Sequence, residues 1–144
     1  MTRIGSILVL VFLAFIGCEG KIITEADFAN ENNNNGSPAL TFAEIQTQVF
    51  TPRCATSGCH TGPNPQMGQN LSAGQAYANI VNVNSIENPA LKRIDPFNSA
   101  DSYLIRKLRG QNISGNRMPN GRPPLSNSII NSMAAWVDAG APNN

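Results

Sequence analysis

The sequence predicts one small all-α domain with long loops, and three observations support this prediction. The 144 residues suffice for a single domain of ordinary size. Apolar residues recur at helical spacing in four short stretches, whereas no stretch alternates apolar and polar residues for long enough to predict a strand. The segments between these stretches are rich in Gly and Pro, of which the chain has 12 and 10, and such segments favour loops.

The charge composition argues against a nucleic-acid partner. The chain has 10 Lys and Arg against 9 Asp and Glu, and only 13% of its residues are charged. Proteins that bind nucleic acid through phosphates carry a clear excess of positive charge. We therefore expect no nucleic-acid partner.

A short apolar run at the N-terminus predicts a secretory signal peptide. Arg3 precedes the thirteen uncharged residues Ile4–Ile16, a run shorter than the roughly 20 residues that span a bilayer. Gly17 directly before Cys18 resembles the lipobox of bacterial lipoproteins, which implies cleavage before this cysteine and lipid attachment to it. Residues 1–17 are thus expected to be a lipoprotein signal peptide, although an ordinary signal peptide cleaved elsewhere is an alternative. The expected location is the bacterial cell envelope, with the lipid anchor on the periplasmic or cell-surface side.

Residues 18–40 are predicted to be the lipidated cysteine followed by a flexible tether. Glu19–Ala39 shows no sustained apolar period and contains the run Asn32–Asn35, a composition that cannot form a core. A flexible coil of about twenty residues has a root-mean-square span of roughly 25 Å, enough to hold a domain just off a membrane surface. The folded domain is therefore expected to span residues 41–144.

The first and last helices of this domain carry recognisable start and stop signals. Thr41-Phe42-Ala43-Glu44 is a capping-box sequence and predicts a helix that ends near Pro52. Ser126 is the expected cap of the last helix, and Gly140 lies where that helix should end. The apolar stripe of the last helix consists of Ile129, Ile130, Met133, Trp136 and Val137.

Two shorter helices are predicted between these two. Ser72 precedes the first of them, while Asn98 or Ser99 precedes the second, which should stop at Gly110. Their apolar positions are Ala76, Tyr77, Ile80 and Val81, then Tyr103, Leu104 and Leu108. Because four short helices bury little surface and the loops are long for a compact domain, we expect a large apolar cofactor to complete the core.

Two cysteines and the only histidine follow the first helix directly. Cys54, Cys59 and His60 form a widened version of the C-x-x-C-H sequence, in which two thiols form thioethers with haem and the histidine binds its iron. The gap holds four residues instead of two, and the small residues 55–58 allow it to bulge. The pattern predicts one covalently bound haem c.

A second histidine of the same chain cannot be the other axial ligand, because His60 is the only one. Methionine is a common alternative, and the mature chain offers Met67, Met118 and Met133. Met133 belongs to the apolar stripe of the last helix, and Met67 follows His60 by only seven residues, a short path to the opposite face of a haem. Met118, in the loop before the last helix, is the predicted axial ligand.

The order of these features resembles class I cytochromes c: a first helix, the C-x(n)-C-H sequence, a middle region, a Met-Pro in a loop, and a C-terminal helix with an aromatic residue. The wider pattern resembles cytochrome c-like domains of exported bacterial proteins over Thr41 to Pro142. It includes Cys59-His60-Thr61-Gly62, Ser102-Tyr103-Leu104, Arg117-Met118-Pro119 and Trp136-Val137-Asp138. The resemblance implies His60 as proximal ligand, Met118 as distal ligand, and thioethers at Cys54 and Cys59.

The expected function is that of a membrane-anchored monohaem cytochrome c that exchanges single electrons with redox partner proteins. Iron held by both His60 and Met118 has no open position, so neither enzymatic activity nor a small-molecule substrate is expected. The alternative is a haem-free exported binding or structural module with a Cys54–Cys59 disulfide. A zinc site is disfavoured because two cysteines and one histidine leave the fourth tetrahedral position unfilled.

Overall fold

The computed structural model describes residues 37–144, and this part of the chain contains four α-helices and no β-strand. The helices are α1 (Phe42–Ile45), α2 (Ala76–Ile80), α3 (Tyr103–Arg109) and α4 (Asn127–Asp138). The prediction of a small all-α domain with four short helices and long loops is confirmed. The predicted signal peptide, Cys18 and the tether up to residue 36 lie outside the described residues. Within residues 37–144, no helix has the length and apolar character needed to cross a membrane.

Helix α1 begins with the predicted capping box. The Thr41 hydroxyl accepts a hydrogen bond from the Glu44 amide at 3.2 Å, and the Glu44 carboxylate accepts one from the Thr41 amide at 2.8 Å. The helix then widens to π winding over Gln46–Cys54, where a single α-helix up to Pro52 was predicted. Pro52 lies inside this segment and has no amide to donate, so regular α-helical bonding is interrupted there.

Helix α4 has both of its predicted ends. The Ser126 hydroxyl accepts a hydrogen bond from the Ile129 amide at 3.4 Å. After the helix, Gly140 has a φ of 98° and donates its amide to the Val137 carbonyl at 2.9 Å. The predicted stripe faces the core, with Ile130, Met133, Trp136 and Val137 buried and Ile129 half-buried.

The two middle helices are present, but the side chains expected to precede them do not cap them. The Ser72 hydroxyl pairs with the Thr61 hydroxyl at 2.7 Å, and α2 begins only at Ala76. The Ser99 hydroxyl donates to the Asp138 carboxylate at 2.9 Å, and α3 begins only at Tyr103, directly after Ser102. The hydroxyls of Ser72 and Ser99 therefore form hydrogen bonds with residues distant in the sequence and do not cap these helices.

An aromatic cluster within the core joins α1, α2 and α4. The Phe42 ring lies 5.1 Å from the Tyr77 ring and 5.8 Å from the Trp136 ring, measured between centroids. The chain end closes over this cluster, because the Tyr77 hydroxyl donates to the Ala141 carbonyl at 2.8 Å. Leu40 is also buried, and its amide donates to the Ser132 carbonyl. Packing thus begins one residue before the domain boundary drawn at Thr41.

Candidate functional site

All four residues predicted to hold a haem line one cleft of about 380 Å³. Cys54 is the last residue of the π-helical segment, and Cys59 and His60 follow in the next loop. Met118 reaches the cleft from the loop between α3 and α4. The fold therefore brings together residues that are up to 64 positions apart in the sequence.

The wall of this cleft is largely apolar. Buried side chains come from the π-helical segment, α3 and the loops on either side, and a volume of this size is within the range of small-ligand sites. The apolar lining includes Val49, Phe50, Leu71, Leu104, Leu108 and Pro119. Such a lining favours a flat apolar ligand over a hydrated ion.

The widened gap between the cysteines folds back on itself. The His60 amide donates to the Cys54 carbonyl at 3.2 Å, and the Cys59 amide donates to the Thr56 carbonyl at 2.9 Å. Gly58 adopts a φ of 77°, a left-handed conformation that glycine accepts without strain. The two extra residues are thus taken up in a bulge, and the backbone of His60 lies directly against that of Cys54.

The two thiols of the cleft are half-buried and are not joined in a disulfide. Burial raises the pKa of Cys54 to about 11, and the nearby charges of Arg53 and Arg122 oppose this rise without cancelling it. At neutral pH this cysteine is therefore a thiol and not a thiolate. Within the described part of the chain, no three His, Cys, Asp or Glu side chains gather into a metal-binding group.

The imidazole of His60 is held in its neutral form. Burial lowers the pKa of His60, while hydrogen bonding to the backbone of Gln69 and Gln66 acts in the opposite direction. A neutral ring is the state that binds iron. Among residues 37–144, the buried Nδ1 atom of His60 has no hydrogen-bond partner that satisfies distance and angle criteria.

Two of the three candidate methionines line the cleft. Met118 is half-buried and packs against the core, and its amide donates to the Lys107 carbonyl at 3.0 Å. Met67 lines the cleft from a 3₁₀ turn, with 47% of its surface exposed and a φ of 53°. Met133 is fully buried in α4 and does not line the cleft, as its place on the apolar stripe predicted.

Five charged residues that the sequence analysis did not single out also line the cleft: Arg53, Glu87, Arg93, Lys107 and Arg122. The buried Arg93 guanidinium donates to the carbonyls of Met67 and Asn79, each at 2.7 Å. No carboxylate of residues 37–144 forms an ion pair with it. Lys107 pairs with the Glu87 carboxylate at 2.8 Å.

The burial of Lys107 could have been predicted from its position in the sequence. It lies four residues after Tyr103 and three after Leu104, so the helical period already places it on the apolar face of α3. Arg93 and Glu87 lie in irregular loops, where no period indicates which side chains turn inward.

Comparisons with known proteins add no relative: no family model, no curated protein and no solved structure matches this chain. The residues and geometry of the cleft therefore carry the functional argument.

Proposed function

We propose that the chain is a membrane-anchored monohaem c-type cytochrome, a single-electron carrier whose haem is bound covalently by Cys54 and Cys59. The observation that carries this proposal is the convergence of both cysteines, His60 and Met118 on one apolar cleft. The fold class that goes with it is a cytochrome c-like domain preceded by a signal peptide and a tether.

The chemistry of the cleft fits a haem. Its apolar wall suits a porphyrin ring, and burial favours the neutral form of His60, which is the form that binds iron. The half-buried Met118 offers a thioether, which is a usual iron ligand in cytochromes c. Arg93 contributes a buried positive charge that lacks a carboxylate among the described residues, and a haem propionate would supply one.

Each of these residues would have a distinct role. When bound, a haem c would supply a one-electron iron couple. Cys54 and Cys59 would anchor the ring, and His60 and Met118 would be the two axial ligands of the iron. Methionine ligation and the exclusion of water by Phe50, Leu104 and the other apolar side chains favour a raised reduction potential.

This assignment also defines the partners. With both axial positions taken by protein side chains, the chain would exchange electrons with redox proteins and would not transform a substrate. Lipid attachment at Cys18 would hold the domain at a membrane of the bacterial cell envelope, on its periplasmic or outer side. Neither a nucleic acid nor a small-molecule substrate belongs to this function.

Covalent haem attachment tests the proposal. The full chain is produced in a bacterium that exports it and attaches haem c, and is then separated on a reducing, denaturing gel and stained for haem peroxidase activity. We expect a stained band from the wild type and from Ser57→Ala, an exposed control between the two cysteines. The double variant Cys54→Ser/Cys59→Ser should release all its pigment into acid–acetone.

A colourless wild-type protein, or a wild type that releases all its pigment into acid–acetone, would overturn the proposal. A colourless protein with Cys54 and Cys59 oxidised to a disulfide would establish the haem-free exported module instead. Mass spectrometry of the tryptic peptide that contains both cysteines distinguishes these outcomes.

A further inference from the structure

The loop that carries Met118 is bound to α3 at several points, and two of them involve Lys107. The Arg117 side chain adds a further one, because it donates to the Leu108 carbonyl at 2.6 Å. The carbonyl of Lys107 accepts the Met118 amide at 3.0 Å. The side-chain Nζ of the same lysine donates to the Ser114 carbonyl at 2.8 Å. Both ends of the segment Ser114–Met118 are therefore bound to one residue of α3.

The Lys107 side chain is itself held by a residue of another loop, Glu87. Its Nζ forms an ion pair with Glu87 Oε2 at 2.8 Å, and only 9% and 18% of the two side chains are exposed. Glu87 lies in the loop between α2 and α3. The ion pair therefore connects this loop, α3 and the Met118 loop at one point.

Tyr103 completes the network. Its hydroxyl accepts a hydrogen bond from the Ser114 amide at 2.9 Å, and the Lys107 Nζ lies 6.0 Å from the centre of its ring. Glu87, Tyr103 and Lys107 all line the cleft that contains Met118. A buried ion pair is a weak source of net stability but ties its two segments to one arrangement, which is what an axial ligand on a long loop requires.

We propose that Lys107, held in place by Glu87, is a positioning residue that fixes the Met118 loop and thereby keeps Met118 at its place in the cleft. This inference rests on the proposed function, because it takes Met118 as an iron ligand. It predicts that loss of the ion pair loosens the loop, so that an external ligand displaces Met118 from the iron more easily.

The test compares variants that remove matched ion pairs. Lys107→Met and Glu87→Gln each abolish the buried pair. Lys92→Met abolishes a half-buried pair with the same 2.8 Å separation, between Lys92 and Asp95, neither of which lines the cleft. Lys107→Arg retains the charge. Each ferric holoprotein is titrated with imidazole, and its long-wavelength sulfur-to-iron charge-transfer band is recorded.

We expect Lys107→Met and Glu87→Gln to bind imidazole about tenfold more tightly than the wild type, as expected when a charged hydrogen bond that holds the loop is lost. Their charge-transfer band should weaken. Lys92→Met should have the imidazole affinity and the band of the wild type, and Lys107→Arg should be close to the wild type in both. If Lys107→Met fails to accumulate, Glu87→Gln, which is nearly isosteric with the native residue, decides the question alone.

The outcomes separate this inference from the proposed function. A wild type without haem overturns the proposed function and the role of Lys107 together. A haem-bound wild type whose Glu87→Gln variant keeps the native imidazole affinity and band overturns the role of Lys107 alone, even if that variant unfolds at a lower temperature. In that case the ion pair serves stability only.

Discussion

At the scale of single residues, the three candidate methionines differ in burial and surroundings. Met133 is fully buried within α4, and Met67 is 47% exposed in a 3₁₀ turn. Met118 is half-buried, packs against the core and lines the cleft. Under the proposed function, an iron-binding thioether would need a place in the cleft together with shelter from water. Of the three methionines, Met118 alone lines the cleft and is also packed against the core.

Met118→Ala is expected to abolish the sulfur-to-iron charge-transfer band and to lower the reduction potential, because the thioether ligand is lost. Met67→Ala should leave the band in place and is the matched control from the same cleft. Ferric absorption spectra and a potentiometric titration measure both quantities. A band that persists in Met118→Ala, or that disappears in Met67→Ala, would assign the ligand to Met67 or to neither residue.

Met133→Ala should act on stability and not on ligation. Its side chain is fully buried in the core, and removing such a side chain leaves a cavity that lowers the free energy of unfolding by about 2–5 kcal/mol. Denaturant unfolding of the holoprotein measures this loss, and the charge-transfer band should be unchanged. Loss of the band in folded Met133→Ala would show that the core position has been misassigned.

At the scale of elements, the end of α4 depends on a glycine that has no room for a side chain. Gly140 has a φ of 98°, and a Cβ atom there would lie 2.6 Å from Cζ of Phe97. Phe97 donates its amide to the Val137 carbonyl at 2.8 Å, so its ring covers the last turn of the helix from outside, with 76% of its surface exposed.

Gly140→Ala is therefore expected to lower the free energy of unfolding by about 1–3 kcal/mol, through backbone strain and through the clash with Phe97. Phe97→Ala should remove the clash but not the strain. In a double-mutant cycle measured by thermal unfolding, Gly140→Ala should then cost less in the Phe97→Ala background. Equal costs in the two backgrounds would mean that the ring moves aside freely and that strain alone operates.

At the scale of the whole molecule, the domain is closed by contacts between its two ends. The Ala43 amide donates to the Asn144 carbonyl at 2.9 Å, and Trp136 Nε1 donates to the Pro142 carbonyl at 3.0 Å. Leu40 packs into the same core. The last residues of the chain and the residues just before α1 are therefore structural parts of the domain.

Removal of Glu19–Gly36 should leave the visible spectrum and the unfolding midpoint unchanged, because this stretch has no sustained apolar period with which to pack. Leu40→Ala should instead lower the free energy of unfolding by about 2–5 kcal/mol, since it empties a buried site. Circular dichroism with thermal unfolding measures both. A deletion variant that fails to fold would place the start of the domain before residue 37.

Local signals in the sequence were sufficient for the start of α1, the end of α3 and both ends of α4. Thr41 with Glu44, Ser126 with the Ile129 amide, and the left-handed glycines Gly110 and Gly140 each act within a few residues of the end they define. The apolar stripe of α4 could also be predicted, because apolar residues at helical spacing form one face of the helix, and that face is buried. For the same reason the fold class followed from the sequence alone.

The tertiary structure decided what depends on residues far apart in the chain. Three features join segments that no local pattern relates. They are the shared cleft of Met118 with Cys54 and His60, the burial of Leu40, and the ion pair of Lys107 with Glu87. The sequence by itself determined which residues could serve a haem, because these side-chain types are scarce in it. Which of them share one cleft, and what holds them there, depends on long-range packing and hydrogen bonds that only the folded chain forms.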